Sequence, residues 1–320
     1  MLKKYLLVLV FIPVLLLCLE VPSHAFWLWS PKDKMPVNPK YAAKDTPREQ
    51  FDWAMRFYKE KDFKRAAEEF VRLTKSYPDS DLAPDAQYYA GRSYEEQGKY
   101  LFAYENYQKT VEKYPYTRRM EEILKREYNI ANIFENKDTA KFMDLELSLS
   151  LDRAATIYGK IVENSPFSTW AVKSLYKMAE VYRRMRKYSE AIDAYEKLIK
   201  DYPECDFVDE AKYQLAYARY EASLAPEYDQ EGTEQALKEF KQLSRTTPVP
   251  SIAKEAEKAL VELKVKKAES IEKIAMFYER QRKYRSAILY YKDISRNYPK
   301  TEVAKRAEEK IEILQQRIKD

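Results

Sequence analysis

The stretch AIDAYEKLIKDYP, residues 191–203, carries a pattern that this chain repeats six times. A small alanine is followed four positions later by an aromatic residue and twelve positions later by a proline. Since positions i and i+4 share one face of a helix, each copy predicts a helix with an apolar stripe that the proline ends. The six copies are Ala66/Phe70/Pro78, Ala103/Tyr107/Pro115, Ala154/Tyr158/Pro166, Ala191/Tyr195/Pro203, Ala236/Phe240/Pro248 and Ala287/Tyr291/Pro299.

The pattern resembles the second helix of the tetratricopeptide repeat (TPR), a helix–turn–helix unit of about 34 residues. The resemblance implies an all-α solenoid of about six repeat units over residues 46–320, which binds other proteins. Two intervals between the prolines of successive copies are 37 residues, and the other three are longer. We expect the additions around Lys137–Leu149, in a loop at Ala225–Gly232, and in one long helix over Ser251–Arg282, before the last unit.

The N-terminus has the features of a secretion signal over residues 1–25. Lys3 and Lys4 precede an apolar run at 6–17, and Ser23-His24-Ala25 offers small residues at a cleavage site. The run is short for a membrane span. The alternative is lipidation at Cys18, although Leu17 is larger than the small residue that lipoprotein processing favours before the cysteine. The mature chain is therefore expected to be exported, and soluble or peripheral to the membrane.

Residues 26–45 show no helical period and contain three prolines, so we interpret them as an extended tether. Trp27 and Trp29 are unusual so close to a mature N-terminus. Two interpretations are open: the two indoles cover the apolar edge of the first repeat, or they insert at a membrane interface or into a groove of a partner.

Composition excludes most enzymatic and cofactor chemistry. His24 is the only histidine and is removed with the signal, and Cys205 is then the only cysteine. A metal site of His or Cys ligands, an intramolecular disulfide and a His-dependent triad are therefore not expected. Four glycines leave no phosphate-binding loop. The 57 basic and 52 acidic residues are interspersed, which indicates solvated helix faces. We predict no enzyme activity, no cofactor and no nucleic acid binding.

The chain resembles the outer-membrane assembly lipoproteins, the BamD-like family of envelope TPR proteins with Tyr-Pro repeats. The residues that carry the likeness are Glu49-Gln50-Phe51, Tyr77-Pro78-Asp79-Ser80, Ala275-Met276-Phe277-Tyr278 and Tyr298-Pro299-Lys300-Thr301, together with the repeated alanines. The resemblance covers most of residues 46–315. The chain departs from the family in having six units where five are typical, and in the residue before Cys18.

The resemblance implies a non-enzymatic scaffold in the periplasm, at the inner face of the outer membrane, that helps to assemble and insert β-barrel proteins. Its implied partners are the barrel insertase, other subunits of the assembly complex, and the C-terminal segments of unfolded β-barrel proteins. The departures from the family leave an alternative open: a periplasmic TPR scaffold of the Tol–Pal system or of cell-wall processes.

Alignment of the first two units to the repeat predicts a partner-binding groove on the concave face of the solenoid. Phe51, Met55 and Tyr58 of unit one and Tyr88 and Arg92 of unit two fall on that face. Such a row suits an extended peptide that ends in an aromatic residue and a carboxylate. The alternative is that Phe51 and Met55 pack against the N-terminal tether.

Overall fold

The structure is a computed structural model that describes residues 28–30, 35–37, 42–136, 144–223 and 230–319. In these ranges the chain forms thirteen α-helices and one short antiparallel sheet. The helices are α1 Pro47–Lys59, α2 Phe63–Ser76, α3 Ala83–Glu96, α4 Tyr100–Lys113, α5 Met120–Glu135, α6 Asp144–Asn164, α7 Thr169–Arg184, α8 Tyr188–Asp201, α9 Val208–Ser223, α10 Gln230–Thr246, α11 Pro250–Arg280, α12 Tyr284–Asn297 and α13 Glu302–Lys319. The described helices confirm the predicted all-α repeat fold.

The sheet lies in the segment that we predicted to be a tether. Strand β1, Leu28–Ser30, pairs with β2, Met35–Val37, so that Leu28 faces Val37. Trp29 lies in β1, whereas Trp27, Cys18 and the predicted signal lie outside the described residues. None of the helices in the described ranges combines the length and apolarity that a bilayer crossing requires.

The chain divides into two compact units, residues 1–123 and 124–320, with the boundary inside α5. In the first unit, α1 packs on α2, α2 on α3, and α3 on α4. In the second, consecutive helices from α6 to α13 pack in the same way. Neighbouring helices in sequence are thus neighbours in space, as in a repeat protein.

The repeated alanine and aromatic positions form the core. All six alanines are fully buried, and the aromatic residues four positions later are at most 1% exposed. In three copies the aromatic is a tyrosine whose hydroxyl donates to a carboxylate on the preceding helix: Tyr107 to Glu95 at 2.5 Å, Tyr158 to Glu135 at 2.8 Å and Tyr291 to Glu279 at 3.0 Å. A buried hydroxyl needs such an acceptor, which explains how these three tyrosines are accommodated in the core.

The Tyr-Pro dipeptides connect successive loops. The Tyr202 hydroxyl donates to the carbonyl of Pro166 at 2.6 Å, and the Tyr114 hydroxyl donates to the carbonyl of Pro78 at 3.1 Å. Each tyrosine therefore reaches back about one repeat to satisfy a loop carbonyl that a helix cannot satisfy. The Tyr77 hydroxyl makes the same kind of bond to the carbonyl of Lys44, before α1.

The long helix is confirmed as α11, which has 31 residues. Its first half packs through Ile252, Ala256 and Leu263 into one core cluster with α9 and α10. Its second half packs through Ala268 and Ala275 into another cluster with α12 and α13. At 100° per residue these two stripes lie on different sides of the helix, so α11 joins two successive cores and leaves part of its own surface uncovered.

The other two additions are partly helical. Helix α6 begins at Asp144, inside the addition expected around Lys137–Leu149. Helix α10 begins at Gln230, so the loop interpretation of Ala225–Gly232 is wrong at its end, because Gly232 lies in the first turn of that helix. A glycine in a first turn costs less than in a helix interior, since the backbone there has fewer helical hydrogen bonds to lose. Residues 137–143 and 224–229 lie outside the described ranges.

Candidate binding surface

Phe51 and Tyr58 belong to an aromatic cluster between α1, α2 and α3. The Phe51 ring lies 5.5 Å from that of Phe70 and 6.1 Å from that of Tyr89, and the Tyr58 ring lies 5.4 Å from Tyr89. Both residues, like Met55, are half-buried. These rings therefore contribute to the packing of the first unit and also leave part of their surface open to solvent on α1.

Tyr88 is placed differently, because it is only 1% exposed. Its hydroxyl contacts the Glu122 carboxylate, and the Arg119 guanidinium lies over its ring at 5.0 Å from the centroid. The Nη1 of Arg92 donates to the Tyr88 hydroxyl at 3.3 Å. In this conformation Tyr88 acts on the surface indirectly, by holding Arg92 and Glu122.

Arg92 lies at the edge of this network, with a side chain that is 20% exposed. Its Nη2 donates to Glu96 at 3.1 Å, and its Nη1 lies 3.9 Å from Glu122. Burial alone would lower the pKa of Arg92, but the hydrogen bonds with Tyr88 and Glu96 outweigh burial and raise that pKa. The Nε of Arg92 has no acceptor among the described residues. Arg92 is thus a fixed, partly exposed cation whose unpaired Nε is buried.

Sequence reasoning missed the partners of this network. The Asp85 carboxylate accepts from Arg119 Nε at 2.9 Å and from Arg118 Nη2 at 2.7 Å. Burial alone would raise the pKa of Asp85, but hydrogen bonds from Arg119 and then Arg118 outweigh it and hold that pKa below its usual range. Asp85 and Arg119, like Tyr88 and Glu122, are 34 residues apart, which is the length of a typical tetratricopeptide repeat. That spacing was the available signal.

Replacing Asp85 with asparagine is expected to destabilise the first unit at neutral pH by about 1–3 kcal/mol, because two cations lose their buried partner. Asp85 has a depressed pKa in the folded state. Its stabilisation is therefore present above the pKa of the unfolded chain and is lost as the pH falls through the folded pKa. Urea unfolding at pH 7 and at about pH 3 should show that the difference between parent and variant shrinks in acid. A constant difference at both pH values would contradict this role of Asp85.

A second set of aromatic residues lies on the first helices of repeats in the second unit. The Tyr128 ring on α5 is 5.3 Å from Trp170 on α7, where the Lys173 ammonium lies 5.0 Å from the indole. Tyr176 on α7 stacks with Phe207, just before α9, at 5.9 Å. All five residues are half-buried. The equivalent face of the second unit thus also offers aromatic groups and a cation, a composition typical of protein-binding surfaces.

Comparison with solved structures finds TPR proteins of low sequence identity. The C-terminal part of a TPR repeat-containing protein from Cytophaga hutchinsonii is 17% identical, with 82% of this chain and 88% of that chain covered and a TM-score of 0.35. A TPR protein from Parabacteroides merdae is 15% identical, with 84% and 98% covered and a TM-score of 0.35. A thermophilic TPR protein from Thermus thermophilus is 14% identical, with 67% and 99% covered and a TM-score of 0.35. At these scores the likenesses carry no argument about function.

Comparison with family models is more informative, whereas comparison with curated proteins gives no significant match. A tetratricopeptide repeat model matches residues 51–116, which include the aromatic cluster, Tyr88 and Arg92. The model of the outer membrane lipoprotein family YfiO matches residues 148–318. This match covers more than half of the 320 residues and includes the long helix α11. The protein therefore belongs to the outer membrane lipoprotein family YfiO.

Proposed function

We propose that this protein is a non-enzymatic scaffold of the bacterial envelope that takes part in the assembly and insertion of β-barrel proteins into the outer membrane. The observation that carries the proposal is the match of residues 148–318 to the outer membrane lipoprotein family. The helical repeats support it, because stacked repeats present extended surfaces suited to binding other chains. The partners in this proposal are the barrel insertase, the other subunits of the assembly complex and the C-terminal segments of unfolded barrel proteins.

The proposal places the protein in the periplasm, peripheral to the inner face of the outer membrane. The description of the family as lipoproteins supports attachment through a lipidated Cys18, the alternative to cleavage after Ala25. The intact mass of the protein from its native envelope distinguishes the two, because only the first leaves a diacylated Cys18 at the N-terminus.

Affinity purification of the protein from solubilised envelopes, followed by mass spectrometry, tests the function. Recovery of a barrel-forming insertase with the tagged protein is the expected result. The matched control is a tagged envelope protein of another fold, which should not recover it. Recovery of Tol–Pal or cell-wall proteins instead would favour the alternative scaffold and would overturn the proposal.

Within this function, we propose that the face formed by α1 and α3 binds the C-terminal segment of a barrel protein. Phe51, Met55 and Tyr58 supply partly exposed apolar and aromatic surface on α1. Arg92 supplies a cation with a side chain that is 20% exposed, which can pair with the terminal carboxylate. In this proposal Tyr88 does not contact the peptide but positions Arg92 by accepting a hydrogen bond from it.

Replacing Arg92 with glutamine is expected to weaken binding of such a peptide about tenfold, because one charge-assisted hydrogen bond is lost. The measurement is a fluorescence titration with a peptide that ends in phenylalanine and a free carboxylate. The matched control is Arg48→Gln, which removes an exposed arginine of α1 that pairs with Asp52. Amidation of the terminal carboxylate should weaken binding of the peptide to the parent. It should not change binding to Arg92→Gln, which already lacks the cation. Equal binding by parent and Arg92→Gln would place the groove elsewhere and leave the affinity purification unaffected.

A further inference from the structure

A pocket of about 350 Å³ with a mixed polar and apolar lining opens between the end of α9, the first turn of α10 and the middle of α11. It lies where α11 leaves the core shared with α9 and α10 and has not yet entered the core shared with α12 and α13. Lys266, Ser270 and Lys273 line it at positions i, i+4 and i+7 of α11, so they share one face of the helix. Tyr220 of α9 forms the opposite wall.

Lys266 is fixed in place by Tyr220. Its ammonium contacts the Tyr220 hydroxyl and lies 5.0 Å from the centre of the ring. The hydrogen bond with Tyr220 raises the pKa of Lys266 more than burial lowers it, so the side chain stays charged. The hydroxyl oxygen accepts from Lys266, which leaves the hydroxyl proton of Tyr220 to donate to a ligand. Because the Lys266 side chain is already held in place, it loses little conformational entropy when a ligand binds to it.

Acidic residues near the pocket do not neutralise all of its lysines, although the charge of Glu262 contributes to the raised pKa of Lys266. Lys267 pairs with Glu234 at 2.6 Å, and Glu269 is the acidic residue of the lining. Lys266 and Lys273 make no ion pair with any residue that the structure describes. The lining therefore includes two lysines and the hydroxyl-bearing residues Tyr220 and Ser270, which are donors of the kind that bind the oxygens of a tetrahedral anion.

We propose that this pocket binds the phosphate group of a phosphomonoester or phosphodiester ligand. A phosphate accepts several hydrogen bonds at once, and its negative charge can pair with Lys266 and Lys273. The volume of the pocket is within the range of small-molecule sites, so it can hold a phosphate with part of the group to which it is attached. Two sources share this chemistry: a soluble phosphorylated compound and the headgroup of a phospholipid.

The test compares the full-length protein with the variant Lys266→Gln/Lys273→Gln. The matched control is Lys254→Gln/Lys258→Gln, which removes the same charge from exposed positions on the same helix. Binding of inorganic phosphate is followed by the chemical shifts of backbone amides, and binding to vesicles is followed by co-sedimentation. One set of vesicles contains phosphatidylglycerol and the other only phosphatidylcholine. The pocket variant is expected to bind phosphate at least about tenfold more weakly than the parent, and the control about as tightly as the parent.

The vesicles distinguish the two sources. Binding to phosphatidylglycerol vesicles that the pocket variant loses and free phosphate displaces indicates a lipid headgroup; phosphate binding without such vesicle binding indicates a soluble ligand. No phosphate binding by the parent, or equal weakening by both variants, would overturn the proposal. If Lys266→Gln/Lys273→Gln fails to fold, Ser270→Asp tests the same pocket, because it adds a negative charge beside the two lysines and should abolish phosphate binding.

Discussion

Replacing Gly91 with alanine is expected to destabilise the first unit by about 1–3 kcal/mol. A β-carbon at Gly91 would lie 2.6 Å and 2.7 Å from two ring atoms of Tyr107. The Tyr107 ring cannot move away easily, because it is fully buried and its hydroxyl donates to Glu95 at 2.5 Å. The added methyl group must therefore separate α3 from α4. This destabilises the unit by more than the higher helix propensity of alanine stabilises it.

Gly159→Ala is the matched control for this effect. Gly159 also lies in a helix, but the nearest atom to an added β-carbon there is the Met178 sulfur at 3.4 Å, at the end of a flexible side chain. This substitution should stabilise the second unit by about 0.5–1 kcal/mol, since alanine loses less backbone entropy than glycine in a helix. Urea unfolding followed by circular dichroism should thus show shifts of opposite sign. A stabilising Gly91→Ala would mean that α3 and α4 do not cross at Tyr107.

The repeated core positions could be predicted from the sequence because they combine a fixed spacing with a fixed size. Ala191 and Tyr195 sit four residues apart in a segment that ends at Pro203, and both are fully buried in the structure. The long helix could be predicted as well, since the segment after Pro250 lacks helix breakers up to Arg280. In both cases the local pattern and the packing agree.

The candidate surface was harder to predict, because helical periodicity indicates the face of the helix on which a residue lies and not how deeply its side chain is buried. Tyr88 and Arg92 were correctly expected to lie on one helix, yet Tyr88 is covered by Arg119, a residue from the segment just before α5. With 34% of residues charged, the sequence offers many candidate partners for Asp85. Only the folded structure, which brings the segment before α5 against Asp85 on α3, selects Arg118 and Arg119. The partners of such ion pairs between repeats therefore cannot be identified from the sequence and have to be read from the structure.

Replacing Ala191 with leucine is expected to destabilise the second unit by about 1–3 kcal/mol, through overpacking. Ala191 on α8 is fully buried, and so are Tyr195 and Leu198 on the same face of the helix. Helix α8 packs against both α7 and α9, so the larger side chain has no direction in which to expand without moving a neighbouring helix. The sixfold repetition of alanine at this position follows from the same close approach.

Ala253→Leu provides the matched control, because Ala253 is half-buried on the long helix α11 and lies outside the described core clusters. Away from a packed core, such a change should alter the free energy of unfolding by no more than about 0.5 kcal/mol. Thermal unfolding should show a lower midpoint for Ala191→Leu, by about 2–4 °C for each kcal/mol lost. Equal midpoints for Ala191→Leu and the parent would contradict the crossing at Ala191. A loss of similar size in Ala253→Leu would show that leucine is unfavourable for a reason other than the crossing of helices.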